Sequence, residues 1–178
     1  MISALILAAG QSRRMGRPKL PLPWGANTML GQVIEVFRVS LVEDILVVTG
    51  GDREDVEKIA EAWRARTVLN PYYASEEMLS SLQVGLGAMP AKTEAVLVAL
   101  GDQPQMQHQT VLDIVHLYAE SHAPLIVPSY QMHRGHPWLV ARPLWGDILA
   151  MHSPETPRDF INKHAKDITY LNVGTPTV

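Results

Sequence analysis

Short apolar runs alternate with amphipathic stretches along this chain. The apolar runs have the length and composition of buried strands, and they predict strands at 4–9, 45–48, 67–69, 95–100, 125–127, 137–140 and 168–171. The stretches between them carry apolar residues at helical spacing, and they predict helices at 29–37, 53–63, 78–89, 111–119, 144–151 and 157–164. Thr28 stands where it can cap the first of these helices.

This alternation predicts βαβ units, and therefore a single-domain α/β fold with a doubly wound, mostly parallel sheet and helices on both faces. The run 95–100 is the most apolar, which predicts a central strand. We find no internal repeat, low-complexity tract or linker, so residues 1–178 are expected to form one domain. Ligands of such sheets bind at the carboxyl ends of the strands, where the strand order switches.

Composition narrows the function classes. The chain has 178 residues and a net charge of −3, and it offers no basic face of the kind that binds nucleic acid. Its apolar runs stay well below 18 residues, so no membrane span is expected. It contains no cysteine, which excludes disulfides and thiolate chemistry and makes the cytoplasm the expected compartment.

The loop after the first strand carries the strongest chemical signal. Five residues separate Gly10 from Gly16, and the loop and its exit carry four cations: Arg13, Arg14, Arg17 and Lys19. Small residues before the loop allow a ligand to lie against the backbone, and exposed N–H groups with fixed positive charge predict a phosphate cradle. The P-loop and dinucleotide-binding patterns are both absent. The alternative is a basic surface loop after an edge strand.

A second signal follows the run 95–100. Gly101 and Pro104 define a tight turn that places Asp102 beyond the end of the predicted central strand. A carboxylate in this place can hold Mg²⁺, which prefers one or two carboxylates together with water and substrate phosphates. The alternative is a turn aspartate that caps the next helix.

Residues 7–19 fit the pattern Leu-Ala-Ala-Gly-x-Ser-x-Arg-Met-Gly-x-x-Lys, which resembles the signature of the MobA-like nucleotidyltransferases. The Ala-Ala-Gly form is similar to the molybdenum cofactor cytidylyltransferase branch, because the guanylyltransferase branch usually has glycine where Ala9 stands. Gly-Asp-Gln-Pro at 101–104 resembles the metal motif of the family, and Arg-Gly-His-Pro at 134–137 matches its acceptor motif.

The resemblance assigns roles to individual residues. It implies catalytic roles for Lys19, Arg14 and Asp102, with Asp102 as the Mg²⁺ ligand. It implies that nucleotide is bound by Leu7, Ala8, Ala9, Gly10, Ser12, Arg13, Gly16, Lys19, Asn70, Ser80 and Ser81, and that the acceptor is bound by Arg134, Gly135 and His136. Two alternatives stay open: Ser80 and Ser81 also suit a helix cap, and 134–136 also suits a solvated turn.

The implied reaction is transfer of a nucleoside monophosphate from CTP or another NTP to a phosphorylated, molybdopterin-type acceptor. It needs Mg²⁺ and releases pyrophosphate. A molybdenum hydroxylase is an implied partner. The alternatives are a guanylyltransferase, a sugar-phosphate nucleotidyltransferase, or an accessory protein that binds the cofactor without turnover.

A last expectation concerns the C-terminal residues. The family has an Asp-x-Asp-Thr-Pro motif after its last core strand, and one of these aspartates is the second protein ligand of Mg²⁺. Here Asn172-Val-Gly-Thr-Pro176 follows the run 168–171. Either this segment replaces the motif, or the motif would follow Val178 in a longer chain. We favour the second alignment, and we expect weak turnover that an extension carrying the acidic motif would raise.

Overall fold

The protein is described from a computed structural model, which covers residues 1–11, 16–42, 44–75 and 78–175. Its main sheet has strand order β10-β7-β9-β6-β1-β4-β5, with β8 paired to β7. The strands are β1 Ile2–Leu7, β2 Pro23–Trp24, β3 Asn27–Thr28, β4 Asp44–Thr49, β5 Arg66–Leu69, β6 Ala95–Leu100, β7 Leu125–Tyr130, β8 His133–Arg134, β9 Trp138–Ala141 and β10 Ile168–Asn172. The two short strands β2 and β3 form a separate hairpin.

In the part of the chain that the structure describes, six α-helices connect these strands, together with short 3₁₀ turns at Tyr73–Ser75 and Arg142–Leu144. They are α1 Met29–Val39, α2 Arg53–Ala62, α3 Met78–Gly87, α4 His108–Ser121, α5 Trp145–Leu149 and α6 Pro157–Lys163. Thr28 caps α1, since its hydroxyl accepts a hydrogen bond from the Gly31 backbone N–H at 3.0 Å. Within the described ranges, the helices are too short or too polar to span a bilayer.

Each face of the sheet has its own apolar core, because alternate residues of a strand point to opposite faces. On one face, Ala4 and Ile6 of β1 belong to a buried cluster shared with α1, α2 and α4. On the other face, Leu5 and Leu7 belong to a cluster shared with α3, α5 and α6. The doubly wound architecture predicted from the sequence is therefore confirmed.

The sheet is mostly parallel, and β6 occupies the middle of its strand order. Strand β9 is an exception, since it pairs antiparallel with both β6 and β7. Some bounds of the elements differ from prediction. Helix α4 extends beyond 111–119 at both ends, and β1 ends at Leu7 rather than at Ala9. The chain leaves the sheet there, although the Ala8 N–H still donates to the Val48 carbonyl at 3.0 Å.

Candidate active site

The site lies at the carboxyl ends of β1 and β6, which are adjacent parallel strands. The Gly101 backbone N–H donates to the Leu7 carbonyl at 3.0 Å, so the turn after β6 is fixed against the end of β1. Strand β4 lies on the other side of β1, so the strand order switches at this position. This is the edge at which doubly wound sheets bind their ligands.

The loop after β1 is only partly described. Gly10 is exposed, and no atom lies within 4 Å of the position that a side chain would take there. Gly16 has φ +64°, a left-handed conformation that favours glycine. Ser12, Arg13 and Arg14, which the sequence assigns to this site, lie outside the described residues. Arg17 is described and exposed.

Lys19 and Asp102 meet at the centre of this edge. The Lys19 ammonium Nζ forms an ion pair with Asp102 Oδ2, and the two side chains are 34% and 33% exposed. The backbone around Lys19 is held in place, because its carbonyl accepts from the Leu22 N–H at 3.0 Å and the Leu20 carbonyl accepts from the Leu30 N–H at 3.2 Å. The first and second sequence signals therefore belong to one site.

The helix-cap alternative for Asp102 is wrong. Helix α4 begins at His108 and its N-cap residue is Gln107, so Asp102 lies well before the helix. The turn is closed instead by the Gln103 N–H, which donates to the Leu100 carbonyl at 3.3 Å. Asp102 thus sits in a tight turn at the mouth of the site.

Asn70 organises the region after β5. Its side chain is fully buried, and its amide Nδ2 donates to Ser80 Oγ at 2.9 Å and to Ser81 Oγ at 3.0 Å. Its Oδ1 accepts from the Tyr72 N–H at 2.9 Å. Both serine hydroxyls are therefore oriented by Asn70, and a hydroxyl that accepts can still donate its own hydrogen.

The Arg134-Gly-His136 turn approaches the same edge. Gly135 is buried, and its N–H donates to the Pro128 carbonyl at 2.9 Å. His136 Nδ1 is buried and has no hydrogen-bond partner among the described residues. Burial lowers the pKa of His136 from 6.5 to about 4, and the negative charge of Asp102 opposes this shift. His136 is thus close enough to Asp102 for the charge of the carboxylate to affect its pKa. With a pKa of about 4, His136 is neutral at pH 7.

Comparison with known proteins places this chain in a family. The model of the MobA-like NTP transferase domain matches residues 4–168. The chain belongs to this family.

Relatives of this MobA-like chain carry more than one activity. It is 31% identical over 144 residues to the molybdenum cofactor cytidylyltransferase of Escherichia coli K12, covering 80% of this chain and 71% of that protein. It is also 31% identical over 146 residues to the nicotine blue oxidoreductase of Paenarthrobacter nicotinovorans, covering 78% and 70%. Among solved structures, Rv0371c from Mycobacterium tuberculosis H37Rv superposes with a TM-score of 0.85 at 26% identity, covering 97% of this chain and 87% of that one.

The turn after β4 packs against the loop after β1, and the sequence analysis did not include this turn in the site. A side chain at Gly50 would place its Cβ 2.3 Å from the Ala9 carbonyl oxygen, and the Gly51 N–H donates to that oxygen at 3.4 Å. Asp52 Oδ2 is buried without a described partner, and burial, followed by the charge of Asp55, raises the Asp52 pKa. The available signal was the Gly-Gly-Asp run at the end of a strand next to β1.

Ala9, which the resemblance places among the nucleotide-binding residues, has a largely buried side chain. Its side chain is 7% exposed and belongs to the buried cluster that contains Leu79 and Leu82 of α3. Little of its methyl group can touch a ligand.

The described side chains fit a Mg²⁺ site that a bound substrate completes. No group of three or more His, Cys, Asp or Glu side chains able to hold a metal occurs among the described residues. Asp102 can supply one carboxylate, and Mg²⁺ takes its other ligands from water and substrate phosphates. This fits a metal that is held jointly by Asp102 and a bound triphosphate.

Proposed function

We propose that this domain transfers a nucleoside monophosphate from CTP to a phosphorylated, molybdopterin-type acceptor and releases pyrophosphate. The observation that carries the proposal is the contact between Lys19 and Asp102 at the switch of strand order. A phosphate-binding cation and a metal-binding carboxylate are the two groups that a bound metal–triphosphate complex requires side by side.

The donor side uses positive charge and backbone N–H groups. In the proposed complex Lys19 and Arg14 contact the triphosphate, and the loop N–H groups contact the leaving pyrophosphate. Mg²⁺ would be held by Asp102 and would neutralise the phosphate charge. The structure of Rv0371c has also been solved in complex with manganese. Manganese favours the same oxygen ligands as Mg²⁺.

The acceptor side needs no general base. An oxygen of the acceptor phosphate forms the new bond to the α-phosphorus, and the bond from that phosphorus to the bridging oxygen of pyrophosphate breaks. A phosphomonoester has its second pKa at about 6, so the attacking oxygen is already largely ionised at neutral pH. His136 is neutral at this pH, and it can orient the acceptor by a hydrogen bond. Arg134 would bind the negatively charged phosphate of the acceptor.

The preference for CTP is supported by the Ala-Ala-Gly form of the loop and by the cytidylyltransferase relative. Because Ala9 belongs to a buried cluster that also contains residues of α3, we expect Ala9→Gly to relax the preference by moving the loop, at about 1–3 kcal/mol at most. Titration calorimetry with CTP and GTP measures this change. Tighter binding of GTP than of CTP by the unaltered protein would contradict the proposal.

The reaction is tested by mass spectrometry after incubation of the protein, Mg²⁺, the four nucleoside triphosphates and molybdopterin. We expect the cytidylylated pterin and an equal amount of pyrophosphate, both lost when the metal is chelated. A guanylylated product would identify the guanylyltransferase alternative. Nucleotide binding without pyrophosphate would identify the non-catalytic accessory protein, which could deliver cofactor to a molybdenum hydroxylase.

A further inference from the structure

Arg134 is held by two side chains from the C-terminal part of the described chain. The Tyr170 hydroxyl of β10 accepts from Arg134 Nε at 3.0 Å and from Nη2 at 2.8 Å. Asn162 Oδ1 of α6 accepts from Arg134 Nη1 at 2.7 Å. The guanidinium carbon also lies 5.8 Å from the centre of the Tyr170 ring. The side chain therefore reaches across β7, from β8 on one side to β10 on the other.

We propose that Tyr170 and Asn162 are positioning residues, which hold the Arg134 guanidinium in place for the acceptor phosphate. The inference rests on the proposed function, because that function makes Arg134 the acceptor-binding cation. Tyr170 and Asn162 would act only through Arg134.

The hydrogen bonds leave the guanidinium able to bind a phosphate. A guanidinium has five N–H groups, and the three described bonds engage one on each nitrogen. One N–H on each of Nη1 and Nη2 remains beyond these bonds, and two N–H groups are what a bidentate contact with a phosphate needs. Fixing the group beforehand reduces the conformational entropy that is lost when the acceptor binds.

The fold does not need these contacts to hold β10 and α6 in place. Strand β10 pairs with β7 over its whole length, from Ile168 opposite Leu125 to Asn172 opposite Ser129. Phe160 anchors α6 with 1% of its surface exposed. The Arg134 hydrogen bonds are exposed to solvent, and exposed contacts of a charged group contribute little to stability. Their main effect is therefore on the orientation of Arg134.

Removing one hydroxyl group tests the inference. In Tyr170→Phe, we expect the KM for molybdopterin to rise about tenfold, in line with the loss of hydrogen bonds to a charged group. The affinity for CTP and the melting temperature should stay unchanged. Tyr130→Phe is the matched control: Tyr130 is a strand tyrosine of the same region, and its hydroxyl accepts from Gln131 at 3.1 Å rather than from Arg134.

A double-mutant cycle separates positioning from an independent effect. If Tyr170 acts through Arg134, Tyr170→Phe has no further effect on the molybdopterin KM in an Arg134→Ala background. Additive effects of the two substitutions would overturn the inference. So would an unchanged KM in Tyr170→Phe while Arg134→Ala raises it. An unchanged KM in Arg134→Ala itself would instead reject the acceptor role of Arg134 in the proposed function.

A measurement without turnover completes the test. The NMR resonance of the Arg134 Nε–H, assigned by its loss in Arg134→Ala, should be protected from exchange with water in the unaltered protein and in Tyr130→Phe. It should exchange faster and become more mobile in Tyr170→Phe and in Asn162→Ala. Equal protection in all of these proteins would show that neither side chain positions Arg134.

Discussion

Lys19 takes the place beside Asp102 that a divalent cation would take in the proposed complex. The ion pair engages Asp102 Oδ2, so a metal that bound through this oxygen would have to displace the Lys19 ammonium. Both groups are about a third exposed, at 34% and 33%, so the pair contributes little to stability and can open at low cost. Metal alone should therefore bind weakly, and it should bind better when a triphosphate offers Lys19 another partner.

Lys19→Met tests this competition at the residue scale. We expect the substitution to strengthen the binding of Mn²⁺ alone by up to about fivefold, since a partly exposed ion pair contributes about 0.2–1 kcal/mol. It should lower pyrophosphate release about tenfold or more, because a charge-assisted phosphate contact is lost. Electron paramagnetic resonance of free Mn²⁺ measures the first effect, and a coupled pyrophosphate assay the second.

The matched control for that experiment is Lys58→Met, on the exposed surface of α2. It should change neither quantity. Weaker Mn²⁺ binding in Lys19→Met would show that the lysine does not compete with the metal, and unchanged pyrophosphate release would reject the phosphate role of Lys19.

At the scale of elements, the turn after β4 supports the loop after β1. Gly50 is buried against the Ala9 backbone, and Gly51 lies against Gln11, where an added Cβ would come 2.6 Å from the Gln11 Cγ. The parallel pairing of β1 with β4 brings these two turns together. The shape of the loop after β1 therefore depends on a neighbouring element as well as on its own sequence.

Gly50→Ala tests this support. Its new Cβ would meet the Ala9 carbonyl oxygen at 2.3 Å, so the backbone must shift. We expect a loss of about 1–3 kcal/mol in the free energy of unfolding and weaker CTP binding. Urea denaturation and calorimetry measure the two effects. The control is Gly146→Ala in α5, where no atom lies within 4 Å of an added Cβ. It should leave the free energy of unfolding unchanged or raise it by up to about 1 kcal/mol. Equal behaviour of the two variants would contradict the packing argument.

At the scale of the whole molecule, three segments that are distant in sequence converge on one sheet edge. The loop after β1 supplies Lys19, the turn after β6 supplies Asp102, and the turn after β8 brings His136 close to that carboxylate. The convergence partly buries His136, whose Nδ1 is fully buried, and the depressed pKa makes folding stability depend on pH.

The sign of that dependence can be measured. The unfolded chain protonates this histidine near its ordinary pKa of 6.5, whereas the folded protein does so only near pH 4. Between these values the unfolded state binds a proton that the folded state does not, so stability falls as the pH is lowered through this window. His136→Gln cannot bind the proton. Its melting temperature should fall less steeply between pH 6.5 and 4 than that of the unaltered protein, and parallel curves would contradict the burial of His136.

Prediction from sequence worked where structure is encoded locally. The period of apolar residues located the main strands and each of the six described α-helices, and the βαβ order implied a parallel sheet whose strand ends carry the Gly10 loop and Asp102. The hairpin β2–β3 and the short strand β8 were missed, because strands of two residues are too short to show any period.

The sequence by itself thus determined the fold class and the placement of Asp102 beyond a central strand. Only the tertiary structure decided which groups meet there: Lys19 with Asp102 across 83 positions, Asn70 with Ser80 and Ser81, and Arg134 with Tyr170 across 36. The physical reason is that strand order and side-chain reach create these contacts, and neither follows from the periodicity of the strands themselves. The acidic segment expected after β10 stays a prediction, to be tested by comparing pyrophosphate release by this chain with that of a chain extended to carry the motif.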